Sequence, residues 1–180
     1  MAGFEAAPQQ SGEPPLEWPW YGIGFGAAIA RFFKKYATFT GRASRGEYWW
    51  YALFGAIISV VLYVILFATL IPTFIAAQTT GTAPRFGAGY FAISGIAGLW
   101  GLATLIPGIA LAVRRLHDTG RSGWNYLFGL IPVAGPIILL VFFVGQTTST
   151  ADRYGPPASQ GGYGSYGGQQ AYPPAQGYTT

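Results

Sequence analysis

A chain of 180 residues is long enough for one domain, but only 9% of its residues are charged, against about 25% in a typical soluble domain, while 51% are apolar and the net charge is +4. No charged side chain lies between Glu47 and Arg85, between Arg85 and Arg114, or between Arg121 and Asp152, and each interval exceeds the roughly 20 residues that carry a helix across a ~30 Å hydrocarbon core. The pattern excludes a soluble globular protein. The lack of cysteine excludes disulfide frameworks, thiolate metal centres, Cys nucleophiles and haem or iron–sulfur attachment.

In chain order, residues 1–21 are rich in Ala, Gln, Pro and Glu without an apolar period, which predicts a disordered arm that meets the membrane surface at Trp18, Trp20 and Tyr21. No Lys or Arg precedes Arg31, and Glu5, Glu13 and Glu17 stand among the first residues, so no cleavable signal peptide is expected and the first span inserts itself. Residues 22–145 form the predicted membrane domain. Within it, 23–39 place Phe25, Ile29, Phe32, Phe33 and Tyr36 three and four apart, with Arg31, Lys34 and Lys35 offset from them. This predicts an amphipathic helix lying in the interface, its lysines against anionic lipid, or else packed on the protein's own loops. Ser44 and Glu47 have capping-box spacing at the head of a span over 48–77, which is long enough to tilt or to end near Pro72.

The second span is predicted at 89–113. Gly95, Gly98, Gly101, Thr104, Gly108 and Ala112 give it small residues along much of its length, suited to close helix approach in lipid. A charged hairpin, 114–124, follows; it holds Arg114, Arg115 and Arg121, the single histidine His117, and Asp118. The third span is predicted at 124–144, with a kink or an unwound stretch between Pro132 and Pro136. Residues 146–180 are a Gly-, Gln-, Ser- and Tyr-rich tail expected to be low-complexity and disordered. The fold class is therefore an all-α membrane bundle of about three transmembrane helices behind an interfacial helix.

Flanking charge sets the expected orientation. Five basic residues (Arg31, Lys34, Lys35, Arg42, Arg45) precede the first span and three lie in the second loop, whereas the first loop has Arg85 and the tail Arg153. Basic flanks stay cytoplasmic, so with three spans the arm and the 114–124 hairpin lie inside and the tail outside; a re-entrant third segment would bring the tail back in.

The run Gly41-Arg42-Ala43-Ser44-Arg45-Gly46-Glu47-Tyr48-Trp49, then Arg114-Arg115-Leu116-His117-Asp118-Thr119-Gly120-Arg121-Ser122-Gly123-Trp124, then Ile131-Pro132 and Arg153-Tyr154-Gly155-Pro156, resembles the DUF805 family of small bacterial inner-membrane proteins. The resemblance implies a multi-pass protein of the bacterial plasma membrane. It implies no reaction.

The chemistry-bearing residues are Arg42, Arg45, Glu47, Arg114, Arg115, His117, Asp118 and Arg121. His117 and Asp118 could form an acid/base pair, yet no nucleophile motif, phosphate loop or second histidine accompanies them, and no catalytic residue, metal or cofactor is expected. A small-solute transporter or channel component acting as an oligomer is the alternative reading, although the spans hold no ionisable residue. The favoured reading is a structural or accessory protein whose basic face binds anionic headgroups, a protein partner or a second copy, with no nucleic-acid partner. Its expected core is an ion-pair cluster with Glu47 facing Arg114 or Arg115 and Asp118 facing Arg42 or Arg45.

Overall fold

The computed structural model describes residues 13–14, 16 and 18–155; the disorder expected at 1–12 and 156–180 falls outside the described residues. The described part is all helical: α1 (Phe25–Lys34), α2 (Arg45–Thr80), α3 (Ala88–Asp118), a 3-10 helix (Gly123–Leu130), α4 (Ala134–Val144) and a second 3-10 helix (Ser149–Tyr154). This is a helical membrane bundle with two long apolar helices and a shorter third.

Helix α2 begins where its capping box places it. The Ser44 hydroxyl accepts from the Glu47 N–H at 3.2 Å while the Glu47 carboxylate accepts from the Ser44 N–H at 2.8 Å. The helix does not end at Pro72 but continues for 36 residues, about 54 Å, to Gly81 in the left-handed conformation. Helix α3 runs past the predicted end at Val113 to Asp118 and stops in a Schellman turn. There the N–H of Arg121 reaches the Leu116 carbonyl and that of Gly120 (φ 73°) reaches the His117 carbonyl, each at 2.9 Å. Arg114, Arg115, His117 and Asp118 therefore stand on the last turn of a helix rather than in a loop.

Apolar side chains face outward along both long helices, as lipid permits: Val64 is 62% and Leu99 69% exposed. The glycine stripe of α3 receives no close-packed neighbour among the described residues. A Cβ on Gly95, Gly98, Gly101 or Gly108 would meet open space, and α3 instead meets α2 through contacts such as Trp100 edge-on to Phe54.

Helix α1 lies against the start of α2, where Phe32 stacks on Tyr51 and Trp50 donates to the Ile23 carbonyl at 3.0 Å. Its polarity is opposite to the expectation. Ala28, Arg31, Phe32 and Lys35 form the buried stripe, while Phe25, Phe33 and Tyr36 are exposed. Two of its three cations thus point into the protein, not toward headgroups.

The third apolar segment is broken where Pro132 and Pro136 predicted. A γ-turn centred on Val133 (φ 66°, ψ −55°) links the 3-10 helix to α4, with the Ala134 N–H bonded to the Pro132 carbonyl at 2.7 Å. The two limbs touch at Gly129 and Gly135, where a Cβ on Gly135 would overlap the Phe128 carbonyl oxygen. Helix α4 has 11 residues, about 16 Å, roughly half of a hydrocarbon core. Gly123 abuts Val113 and His117, and Gly145 is bonded by Arg45 and Arg115, so both ends of the segment lie at the same end of the α2–α3 pair.

The described start of the tail follows suit. The Thr148 N–H bonds the Asp118 carbonyl at 3.3 Å and Asp152 pairs with Arg42 at 3.0 Å, so up to Gly155 the chain stays at the end where the arm packs. The boundaries drawn at 21 and 146 shift accordingly. Tyr21 and Trp20 already bond the bundle, and residues 147–154 are part of it.

Candidate functional site

Two buried carboxylates organise the polar end. Glu47, at the third position of α2, is 3% exposed. One of its oxygens accepts the Ser44 and Trp20 N–H groups at 2.8 and 3.3 Å; the other faces Arg31 Nε at 2.9 Å and Lys35 Nζ at 3.5 Å. Its ion-pair partners among the described residues are Arg31 and Lys35, which lie one turn apart on the face that docks on the α2 N-terminus, while of the two expected partners Arg114 stays within reach of the Glu47 charge. Asp118 is fully buried. It accepts from Tyr21 Oη at 2.9 Å and Arg42 Nε at 3.0 Å on one oxygen, and from Thr147 Oγ1 at 2.7 Å and Arg115 Nη1 on the other. The Asp118–Arg42 pairing is one of the contacts the sequence suggested.

Arg115 and Arg45 do a second job. Arg115 donates to the carbonyls of Phe143 (3.0 Å) and Gly145 (2.6 Å), and Arg45 to those of Val144 (2.8 Å) and Gly145 (3.1 Å). These carbonyls sit at the C-terminal end of α4, where orphan acceptors and the negative end of the helix dipole both favour a cation. Arginines on α2 and α3 thereby fasten the returning limb of the hairpin.

Arg114 is buried, with Nε on the Ala110 carbonyl at 3.2 Å; among the described residues its Nη2 has no hydrogen-bond partner. His117 does not pair with Asp118. Its Nδ1 meets the Gly41 carbonyl at 3.1 Å and its ring stacks on Tyr154 with centroids 4.0 Å apart. Arg121 is half-buried, its guanidinium 4.1 Å from the centroid of Phe142. Of the eight residues singled out in the sequence, Arg45 alone is largely exposed.

Sequence reasoning missed Arg31, Lys35, Tyr21, Thr147 and Asp152 as members of this cluster. The signal for the first two was present, since 28, 31, 32 and 35 are one helical stripe. The others come from stretches without periodicity. The low-polarity surroundings leave a mark on the groups outside the spans: burial, reinforced by Arg31 and Arg114 and opposed by Glu47, pulls Lys35 down to about 8, and burial together with the charge of Asp118 pushes Tyr21 up to about 12.

Asp118 accepts four hydrogen bonds, which fills the roughly four lone-pair sites of a carboxylate, and Glu47 accepts three beside its ion pair with Arg31. Arg31, Lys35, Arg42, Arg114 and Arg115 are buried against Glu47 and Asp118, and the partly exposed Glu13 and Asp152 pair with Arg31 and Arg42 from the rim.

The pattern of a family described as protein of unknown function (DUF805) matches residues 36–156, covering the elbow before α2, both long helices, the hairpin and the start of the tail. The chain belongs to the DUF805 family. This DUF805 chain is 39% identical over 125 residues to inner membrane protein YhaI of Escherichia coli (strain K12), a match spanning 68% of the chain and 86% of the relative. It is 35% identical over 123 residues to inner membrane protein YhaH of the same organism, spanning 68% of the chain and 88% of the relative. No solved structure matches. With two helices long and apolar enough to cross a bilayer, the DUF805 chain is an integral protein of the plasma membrane. The matched region begins after Trp20, Tyr21, Arg31 and Lys35, so Tyr21 on Asp118 and three of the partners of Glu47 come from outside it.

Proposed function

We propose that this chain is an accessory protein of the bacterial plasma membrane, without catalytic activity, whose basic cytoplasmic face engages anionic lipid headgroups. One observation carries the reading: Arg85 apart, every basic residue of the chain lies at the polar end of the bundle, where buried cations outnumber buried carboxylates. Basic flanks are retained in the cytoplasm, and anionic lipid of the inner leaflet attracts such a face. In this reading α2 and α3 span, the 123–145 segment is re-entrant, and arm and tail are both cytoplasmic. The shortness of α4 supports the re-entrant hairpin. So does its tip, where the N–H groups of Ile131, Ala134 and Gly135 all have carbonyl partners, as backbone inside hydrocarbon requires.

The natural absence of cysteine makes the test direct. Single cysteines at Thr82 and Thr150 are exposed to a membrane-impermeant maleimide on intact spheroplasts. Labelling of Thr82→Cys alone is expected; labelling of Thr150→Cys before lysis would restore a third span and an external tail. Solute flux through reconstituted protein would replace the accessory reading by the transport one.

A further inference from the structure

Beside the polar end, the first turns of α2 form a groove of about 360 Å³ lined by Arg45, Gly46, Trp49, Trp50 and Leu53. None of these residues contributes to the carboxylate clusters. Arg45 is held in place at the groove mouth by the bonds of its Nε and Nη2 to Gly145 and Val144, and its third nitrogen, Nη1, has no hydrogen bond among the described residues. Trp50 is fixed by its bond to Ile23, whereas the indole N–H of Trp49 has no partner among the described residues. Below them, Leu53, Ile57, Val60 and Val64 continue the same helical face, 48 to 62% exposed. From head to foot the groove thus offers a pre-positioned cation, an aromatic pair at headgroup depth and an aliphatic stripe more than two turns long.

That sequence of chemistries fits one kind of molecule. A partner helix would need apolar contact at both ends of the stripe, but here the stripe is headed by a guanidinium with no acid beside it. A phosphodiester with an attached hydrocarbon chain satisfies every part: the phosphate meets Arg45 in a charge-assisted bond, the Trp49 N–H meets the ester region, and the chain lies on Leu53 to Val64. We infer that this groove is a binding site for one anionic phospholipid of the same leaflet. The inference rests on the headgroup-binding reading above and narrows it to one residue and one helix face. Anionic rather than zwitterionic lipid is selected by Arg45, whose guanidinium stands at the groove with one nitrogen unbonded and no salt bridge among the described residues.

The experiment is native mass spectrometry of the full chain in detergent, titrated with phosphatidylglycerol or phosphatidylcholine, with thermal unfolding recorded for each variant. One phosphatidylglycerol is expected to remain bound. Arg45→Gln should weaken it about tenfold, the worth of one charge-assisted hydrogen bond, and erase the preference over phosphatidylcholine. Because Arg45 also fastens α4, Trp49→Ala and Leu53→Ser serve as variants that leave those bonds alone; each should weaken long-chain lipid several-fold and six-carbon phosphatidylglycerol much less. If Arg121→Gln and Arg153→Gln abolish the preference while the groove variants leave it intact, the groove is not the site although the basic face still binds headgroups. No preference in any protein would overturn both readings. A dimer that Leu53→Ser dissociates would assign the groove to a second copy.

Discussion

Asp118 shows how much one side chain can organise. It gathers Tyr21, Arg42, Arg115 and Thr147 from four separate segments, and without its charge Arg115 would keep only carbonyl partners in a site closed to water. Breaking a buried pair by removing one partner costs about 3–5 kcal/mol. Asp118→Asn is expected to lower stability by about that amount, read as a fall in the midpoint of thermal unfolding in detergent, and a variant within about 0.5 kcal/mol of the parent would show the cluster to be unimportant for stability. Lys35 contributes with the opposite sign. Its folded pKa of about 8 lies below the ordinary 10.5, so between those values the unfolded chain holds a proton that the folded chain has released. Stability must then rise with pH across that window, at most by about 1.4 kcal/mol per unit, and Lys35→Met should flatten the rise between pH 8 and 9.5, before Tyr21 begins to matter. Unfolding midpoints of the two proteins across that range test the point.

At the scale of elements, the hairpin is where backbone chemistry decides most. Gly135 is the contact point of the two limbs, and any side chain there meets the Phe128 carbonyl, which is backbone and cannot swing away. Gly135→Ala is expected to cost about 1–3 kcal/mol and to expose the limbs to proteolysis or hydrogen exchange. Val133 carries the reverse prediction. A β-branched residue at φ 66° is strained, and Val133→Gly should relieve about 1 kcal/mol net of the extra freedom it gives the unfolded chain, visible as a raised midpoint. This element also shows what was legible in the sequence. Pro132, Gly135 and Pro136 announced a break, and the Ser44–Glu47 spacing announced a cap, because both are local rules. Whether the broken segment crosses or returns stayed open in the sequence, since the residues fastening its returning limb, Arg45 and Arg115, belong to distant helices. The buried polar stripe of α1 was misread for a related reason. Charge argued for placing Arg31 and Lys35 at the lipid surface, and the groups that offset their burial, the Glu47 and Glu13 carboxylates and the Pro14 and Trp18 carbonyls, are reached only through the fold.

For the whole molecule, the polar end is a joint in which every segment of the described chain other than the α2–α3 loop takes part. The arm contributes Tyr21 and Trp20, α1 contributes Arg31 and Lys35, and the tail contributes Thr147, Asp152 and the Tyr154 ring on His117. The two ends of the chain are therefore structural as far as these contacts reach. Deleting 1–21 removes the Tyr21 hydroxyl from Asp118 and the Trp20 N–H from Glu47; deleting 147–180 removes the Thr147 hydroxyl from Asp118 and the Asp152 charge from Arg42. Each lost bond to a buried charge is worth about 1.5–3 kcal/mol, less for the half-exposed Asp152, so either deletion should cost several kcal/mol. The two losses meet on Asp118, and sites that share a partner are not additive. The double deletion should therefore differ from the sum of the single ones by more than about 0.5 kcal/mol, whereas simple addition in the unfolding data would mean that arm and tail do not act through one joint.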